Sequence, residues 1–121
     1  MKPKSPPGLL LPGSEELRKF HEQRIAMLEG MSGPVIALPT RYPDGYFVPR
    51  HRHSRAQLLC ASQGVVLVTT DAGRWMIPSD HAMWIPAGVE HSVEILGEVY
   101  MRSIYICVDA VSGVPDYLHV V

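Results

Sequence analysis

The chain has 121 residues, one domain by length and enough to bury a core without a metal or disulfide staple. Apolar residues make up 46% of it and the formal net charge is −1. That balance lacks the basic excess of a domain that grips nucleic acid, so no direct nucleic-acid contact is expected. Cys60 and Cys107 each lie in an apolar run and read as buried thiols in a reducing, cytoplasmic compartment.

Residues 1–13 hold four prolines and two glycines and are expected to be a flexible tail. Within it, Leu9-Leu10-Leu11 is too short for a signal-peptide core or a membrane span. Ser14 followed by Glu15 and Glu16 is an N-cap with acids at the positive end of a helix dipole. Leu17, Phe20, Arg24 and Leu28 continue at helical spacing until Gly30 or Gly33, so one helix lying on something larger is expected. From Pro34 the pattern changes to short runs of Val, Ile, Leu, Tyr and Trp separated by turn residues. The expected strands are Val35–Thr40, Tyr46–Arg50, Ala56–Ser62, Val65–Thr70, Arg74–Ile77, Ala82–Ile85, Val89–Leu96, Val99–Cys107 and a short Tyr117–Val120. Asp71-Ala72-Gly73 has the composition of a tight hairpin connection. Many short antiparallel strands without intervening helices indicate an all-β sandwich or barrel over 14–121.

His51-Arg52-His53 carries the sharpest chemistry. Two residues apart on a strand, both imidazoles face one way, close enough to share an ion. Gln57 follows by an even step and brings a carbonyl oxygen to that face if the strand is regular. Pro86-Ala87-Gly88-Val89-Glu90-His91 makes a turn that launches a strand, with His91 early in it. The first block reads Gly45, five residues, His51-x-His53, three residues, Gln57, six residues, Gly64, and the second reads Pro86-x-Gly88, two residues, His91. Their spacing resembles the two motifs of the cupin superfamily and implies a jelly-roll barrel.

In that family the two histidines and acid of the first motif and the histidine of the second bind one divalent metal. The resemblance therefore implies a metal set of His51, His53, Gln57 and His91. Three departures stand out: Gln57 in place of a glutamate, Asp80 where the second motif opens with glycine, and Ile95 where it closes with asparagine. Three neutral imidazoles and a neutral amide leave an ion's charge uncompensated, which weakens metal binding or favours an anionic ligand in the open positions. The donor set suits zinc, nickel, copper, iron or manganese, which it does not distinguish. Without a metal, the same groups would hydrogen-bond a small polar effector directly.

Four further segments narrow the likeness: His51 to Leu59, Thr69 to Trp75, Trp84 to His91 and Met101 to Tyr105. They resemble the N-terminal sensor domain of AraC-type transcriptional regulators. That resemblance implies a cupin that binds a small-molecule effector, forms a homodimer and hands its state to a C-terminal helix-turn-helix half, the only part that touches DNA. No helical pattern follows Val114-Pro115-Asp116, so the chain is expected to be a sensor taken from a longer regulator, or a protein working without that half. The alternative is a metal-dependent cupin enzyme of the dioxygenase or isomerase type, although no general acid or base stands beside the site: Glu90 and Glu94 alternate away from His91. His81 is read as a turn or surface residue, His21 and His119 as structural or exposed, and Trp75 and Trp84 as core or pocket wall. Tyr105 and Met101 are candidate pocket residues. Arg50, Arg52 and Arg55 would either attract an anion at the barrel mouth or form a solvated rim.

Overall fold

In the computed structural model, which describes residues 14–109 and 113–121, Ser14 caps helix α1 (Glu15–Gly30) as expected: its Oγ accepts from the Leu17 N–H at 3.2 Å. Leu17, His21 and Leu28 are the buried residues of α1, a stripe at helical spacing that packs the helix along the barrel wall. The tail expected over 1–13 lies outside the described residues.

Nine strands follow among the described residues: β1 (Val35–Tyr42), β2 (Phe47–His51), β3 (Ala56–Ser62), β4 (Val65–Thr70), β5 (Gly73–Pro78), β6 (Ala82–Ile85), β7 (His91–Leu96), β8 (Val99–Ile106) and β9 (His119–Val120). They form two antiparallel sheets, ordered β1-β8-β3-β6-β9 and β2-β7-β4-β5, that face each other as an all-β jelly roll. Alternation decides what lies between them. In β4, Val66, Val68 and Thr70 point inward; in β7, His91, Val93 and Ile95 do. The facing sheet contributes Leu59 and Ala61 from β3, Met83 and Ile85 from β6, and Val99 and Met101 from β8. Trp84 is buried on the other face of β6, where its Nε1 donates to the Pro115 carbonyl at 2.9 Å.

The expected strands are all present: β3, β4 and β6 have the expected ends, and the others are shifted by one or two residues. The strand expected from Val89 starts at His91, because Pro86-Ala87-Gly88 turns the chain and Val89 N–H bonds back to the Pro86 carbonyl. At the expected motif position of a glycine, Asp80 adopts φ 69, the left-handed conformation that glycine favours and aspartate tolerates. Gly64, at the β3–β4 turn, has φ 73, and a Cβ there would meet Val99 Cγ2 at 2.6 Å and the Glu98 carbonyl oxygen at 2.9 Å. Strain and overlap act together, so Gly64→Ala is expected to cost about 2 kcal/mol or more. The urea midpoint of unfolding reads this directly; an unchanged midpoint would mean the turn relaxes freely.

Candidate functional site

The inward phase of each strand builds one site at an end of the barrel. On β7, His91 continues the row of Val93 and Ile95 and is 1% exposed. A one-residue slip of β7 would turn His91 out with the whole row, so the core fixes the ligand's direction. His51 ends β2 and stands opposite His91 in the ladder. The register shifts between Val48 and His51, at Pro49, which has no N–H to give to the ladder. His53 lies on the crossing segment beyond β2, whose carbonyl accepts from Gly88 N–H at 2.9 Å, tying the two histidine segments together.

Gln57 arrives by a different route from the one expected. The strand does not run on from His53: the chain leaves the four-stranded sheet at His51, crosses through Arg52–Arg55, and enters the five-stranded sheet at Ala56. Gln57 therefore reaches the histidines from the opposite wall, in phase with Leu59 and Ala61. Arg55 is also not a rim residue. It is buried, and its guanidinium donates to the carbonyls of Gly33 (2.8 Å) and Met31 (2.9 Å), while Glu29 accepts from Ser54 N–H at 2.7 Å. These bonds clamp the end of α1 to the segment that carries His53. Arg50 and Arg52 stay outside, Arg50 paired with Asp71 and Glu90 and Arg52 near Glu90.

One ring nitrogen from each of His51, His53 and His91 lies within 4.8 Å of the others, close enough for the three to hold a metal ion. Their ring centroids are 4.4 Å apart for His51–His91, 5.3 Å for His53–His91 and 5.7 Å for His51–His53. Each Nδ1 donates to a nearby backbone carbonyl: His51 to Pro49 (2.7 Å), His53 to Arg55 (2.8 Å) and His91 to Val89 (2.8 Å). Those bonds fix the tautomer and leave the three Nε2 lone pairs for a ligand. Burial holds all three rings neutral at pH 7. It pushes His91 down to about 3, with the neighbouring His51 adding to the effect, and it lowers His51 and His53 as well.

Gln57 supplies the fit test for a cation. Its Nε2 donates to Ser103 Oγ at 2.8 Å and contacts the Tyr105 hydroxyl at 3.3 Å, while its Oε1 faces His53 Nε2 at 3.1 Å. With His53 Nδ1 already donating, both facing atoms carry lone pairs and no proton lies between them. A shared divalent cation resolves that contact. Turning the amide over satisfies an empty ring equally well, so Gln57 has two hydrogen-bonded orientations and only one of them serves an ion. Three nitrogens on one tetrahedral zinc at about 2.0–2.1 Å stand about 3.4 Å apart. The triad, whose nitrogens lie within 4.8 Å of one another, therefore needs a closure of no more than about 1.4 Å per pair, and the donor set fits a divalent transition metal.

Two small cavities adjoin the triad. One, about 50 Å³, is lined by His51, His53, Tyr105, Tyr42, His21 and Arg24, among others. The second, about 40 Å³, is lined by Gln57, His91, Met101, Ser103, Thr40 and again Arg24. Tyr105 and Met101 thus line the pocket. Sequence reasoning gave no role to Arg24, Thr40, Tyr42 and Ser103. Arg24 alone left a signal, as a charged residue on the helical stripe otherwise made by Leu17, Phe20 and Leu28. His21 is buried, its Nε2 2.9 Å from the Tyr46 hydroxyl, whereas His81 is exposed. Cys60 and Cys107 are free thiols, half-buried rather than fully so.

Barrel and histidine cluster together define a cupin. The AraC-like ligand binding domain model matches residues 33–119, and the chain belongs to that family. A 64-residue stretch, 53% of the chain, is 36% identical to the HTH-type transcriptional regulator NimR of Escherichia coli (strain K12), of which it covers only 23%. A cupin superfamily protein from Desulfitobacterium hafniense superposes with a TM-score of 0.59 at 21% identity, over 64% of this chain and 71% of that one. Bacillus subtilis oxalate decarboxylase, a protein with Mn(II) centres, superposes with a TM-score of 0.52 at 16% identity, over 62% of this chain and 22% of that one. At such identities the structural matches establish the fold alone. No helix among the described residues is long and apolar enough to cross a membrane.

Proposed function

We propose that this domain is the effector-binding sensor of an AraC-type transcriptional regulator, and that His51, His53, Gln57 and His91 hold one divalent transition metal as part of the ligand site. The observation that carries the metal is the orientation of the triad: three neutral imidazoles, His53 and His91 buried and His51 half-buried, with their Nδ1 atoms tied back to carbonyls and a ring nitrogen of each within 4.8 Å of the others. The family and the NimR likeness support the sensor role. Binding of an effector in the barrel would bias the domain's conformation or its contact with a second copy, and a DNA-binding half would read that bias. A cytoplasmic homodimer belongs to the same proposal.

The lining favours binding over turnover. Among the described residues, neither cavity is lined by a carboxylate that would act as general acid or base. The metal, when bound, would supply Lewis acidity and open coordination positions for a ligand. The protein's own part is to orient the imidazoles, hold them neutral, and frame the space beside them.

Gln57→Glu tests the ligand assignment. A carboxylate in place of the amide adds a charge beside the ion, and Ser103 and Tyr105 can turn their hydroxyls to donate to it. Zinc affinity should rise by about tenfold or more, the scale of one partly screened charge contact. Competition against a chromophoric chelator measures it, and an unchanged affinity would remove Gln57 from the ligand set.

A further inference from the structure

Arg24 is the unexplained charge of this fold. It lies on the inward side of α1, between His21 and Leu28, and lines both cavities beside the imidazoles. Its Nη2 donates to Thr40 Oγ1 at 2.9 Å, its guanidinium lies against the Tyr42 hydroxyl, and its Cζ stands 5.8 Å from the Phe20 ring centroid. No carboxylate among the described residues pairs with it. The other arginines that reach an acid do so on the surface: Arg18 with Glu15 and Glu22, Arg41 with Glu98, Arg50 with Asp71 and Glu90, Arg52 with Glu90, Arg74 with Glu94. Arg55 spends its donors on two carbonyls. Among the described residues, Arg24 alone brings a guanidinium with no acidic partner to both cavities beside the histidines.

We propose that Arg24 is the anchor for an anionic effector, and that the effector is a small carboxylate with both oxygens on the guanidinium fork and one of them shared with the metal. The inference rests on the metal reading above and extends it to the ligand's chemical class. Charge is the first argument. A divalent ion on four neutral donors beside an unpaired guanidinium concentrates positive charge in a low-dielectric pocket with no acid in its wall, and an anion is what neutralises it. Shape is the second. Guanidinium presents a planar fork that matches a carboxylate through two parallel N–H bonds. Size is the third: cavities of about 50 and 40 Å³ hold an ion and a few heavy atoms, far below the roughly 300–1,000 Å³ of a drug-sized site. The hydroxyls of Thr40, Tyr42, Ser103 and Tyr105 line the same space and offer further donors. Arg24 also lies outside residues 33–119, so the family match does not include it.

Cobalt(II) reports both steps through its visible absorption. The whole chain is loaded with cobalt and then titrated with acetate, pyruvate and inorganic phosphate, in the unaltered protein and in Arg24→Gln and Arg24→Lys. The expected result is cobalt affinity at least as high in Arg24→Gln as in the unaltered protein, carboxylate binding in the unaltered one, and a loss of that carboxylate binding by about tenfold or more in Arg24→Gln, the scale of one charge-assisted hydrogen bond. Arg24→Lys keeps the charge without the fork and should fall between them. Equal carboxylate affinity in Arg24→Gln would overturn the anchor while leaving the metal site standing. Tighter binding of phosphate than of either carboxylate would overturn the ligand class. Failure to take up cobalt would remove the metal reading and this inference with it.

Discussion

Saturating zinc is expected to raise the thermal midpoint of this domain by about 10 °C or more, and His91→Ala is expected to abolish the rise. A ligand at a hundred times its dissociation constant adds about 2.7 kcal/mol to a fold that alone binds it. For a domain of this size that corresponds to a shift on the order of 10 °C. His91 is the residue to remove because it is the most buried of the triad and faces both other rings. Losing a direct ligand should weaken binding more than the 10–100-fold typical of a residue that only supports one. His91→Ala also opens a space in the core, so the zinc-free midpoint of the variant is its own reference. A rise that survives in His91→Ala would place the metal elsewhere.

Acid should unfold the metal-free protein well before its carboxylates are protonated. Burial first, then the neighbouring charge of Arg24, pushes His21 down to about 4; burial and His51 push His91 down to about 3. In the unfolded chain both titrate near 6.5. Between pH 6.5 and about 4 the unfolded state therefore binds protons that the folded state refuses, so stability falls as pH falls. Each group contributes up to about 1.4 kcal/mol per pH unit, and the two together about 2.7 kcal/mol per unit near pH 5. Above pH 7 this contribution is constant. Urea unfolding in the presence of a chelator at pH 7, 6 and 5 measures it. His21→Gln should lower stability at pH 7, since the Tyr46 hydroxyl loses its partner, yet roughly halve the slope. Equal midpoints at pH 7 and pH 5 would mean that both rings reach solvent and charge freely.

Most of the architecture was legible because the strands are short and punctuated by turn residues. Val65 to Thr70 reads as a strand, but its two faces carry the same residue types, so only the fold shows that Val66, Val68 and Thr70 point inward. The site was legible in part. His51, His53, Gln57 and His91 carry their spacing in the sequence and converge in the fold, but the path to Gln57 was misjudged. An even step implies one face only along one strand, and here the chain changes sheets between His53 and Ala56. Pro49, beside the register shift, was the local warning of irregular backbone. Arg55 was misplaced for a related reason: its partners are carbonyls at the end of a helix more than twenty residues away, and spacing along a strand carries no trace of them. Arg24, Thr40, Tyr42 and Ser103 enter the pocket from α1, β1 and β8, elements that share no motif with the histidines. Only tertiary packing brings them there.

The most direct test of the account is metal stoichiometry. The purified chain, stripped with chelator, exposed to zinc and dialysed, is analysed for bound metal alongside a His51→Ala/His91→Ala double variant whose folding is checked by circular dichroism. One equivalent per chain is expected in the unaltered protein and almost none in the folded variant. Equal metal in both, or none in either, would contradict the metal site.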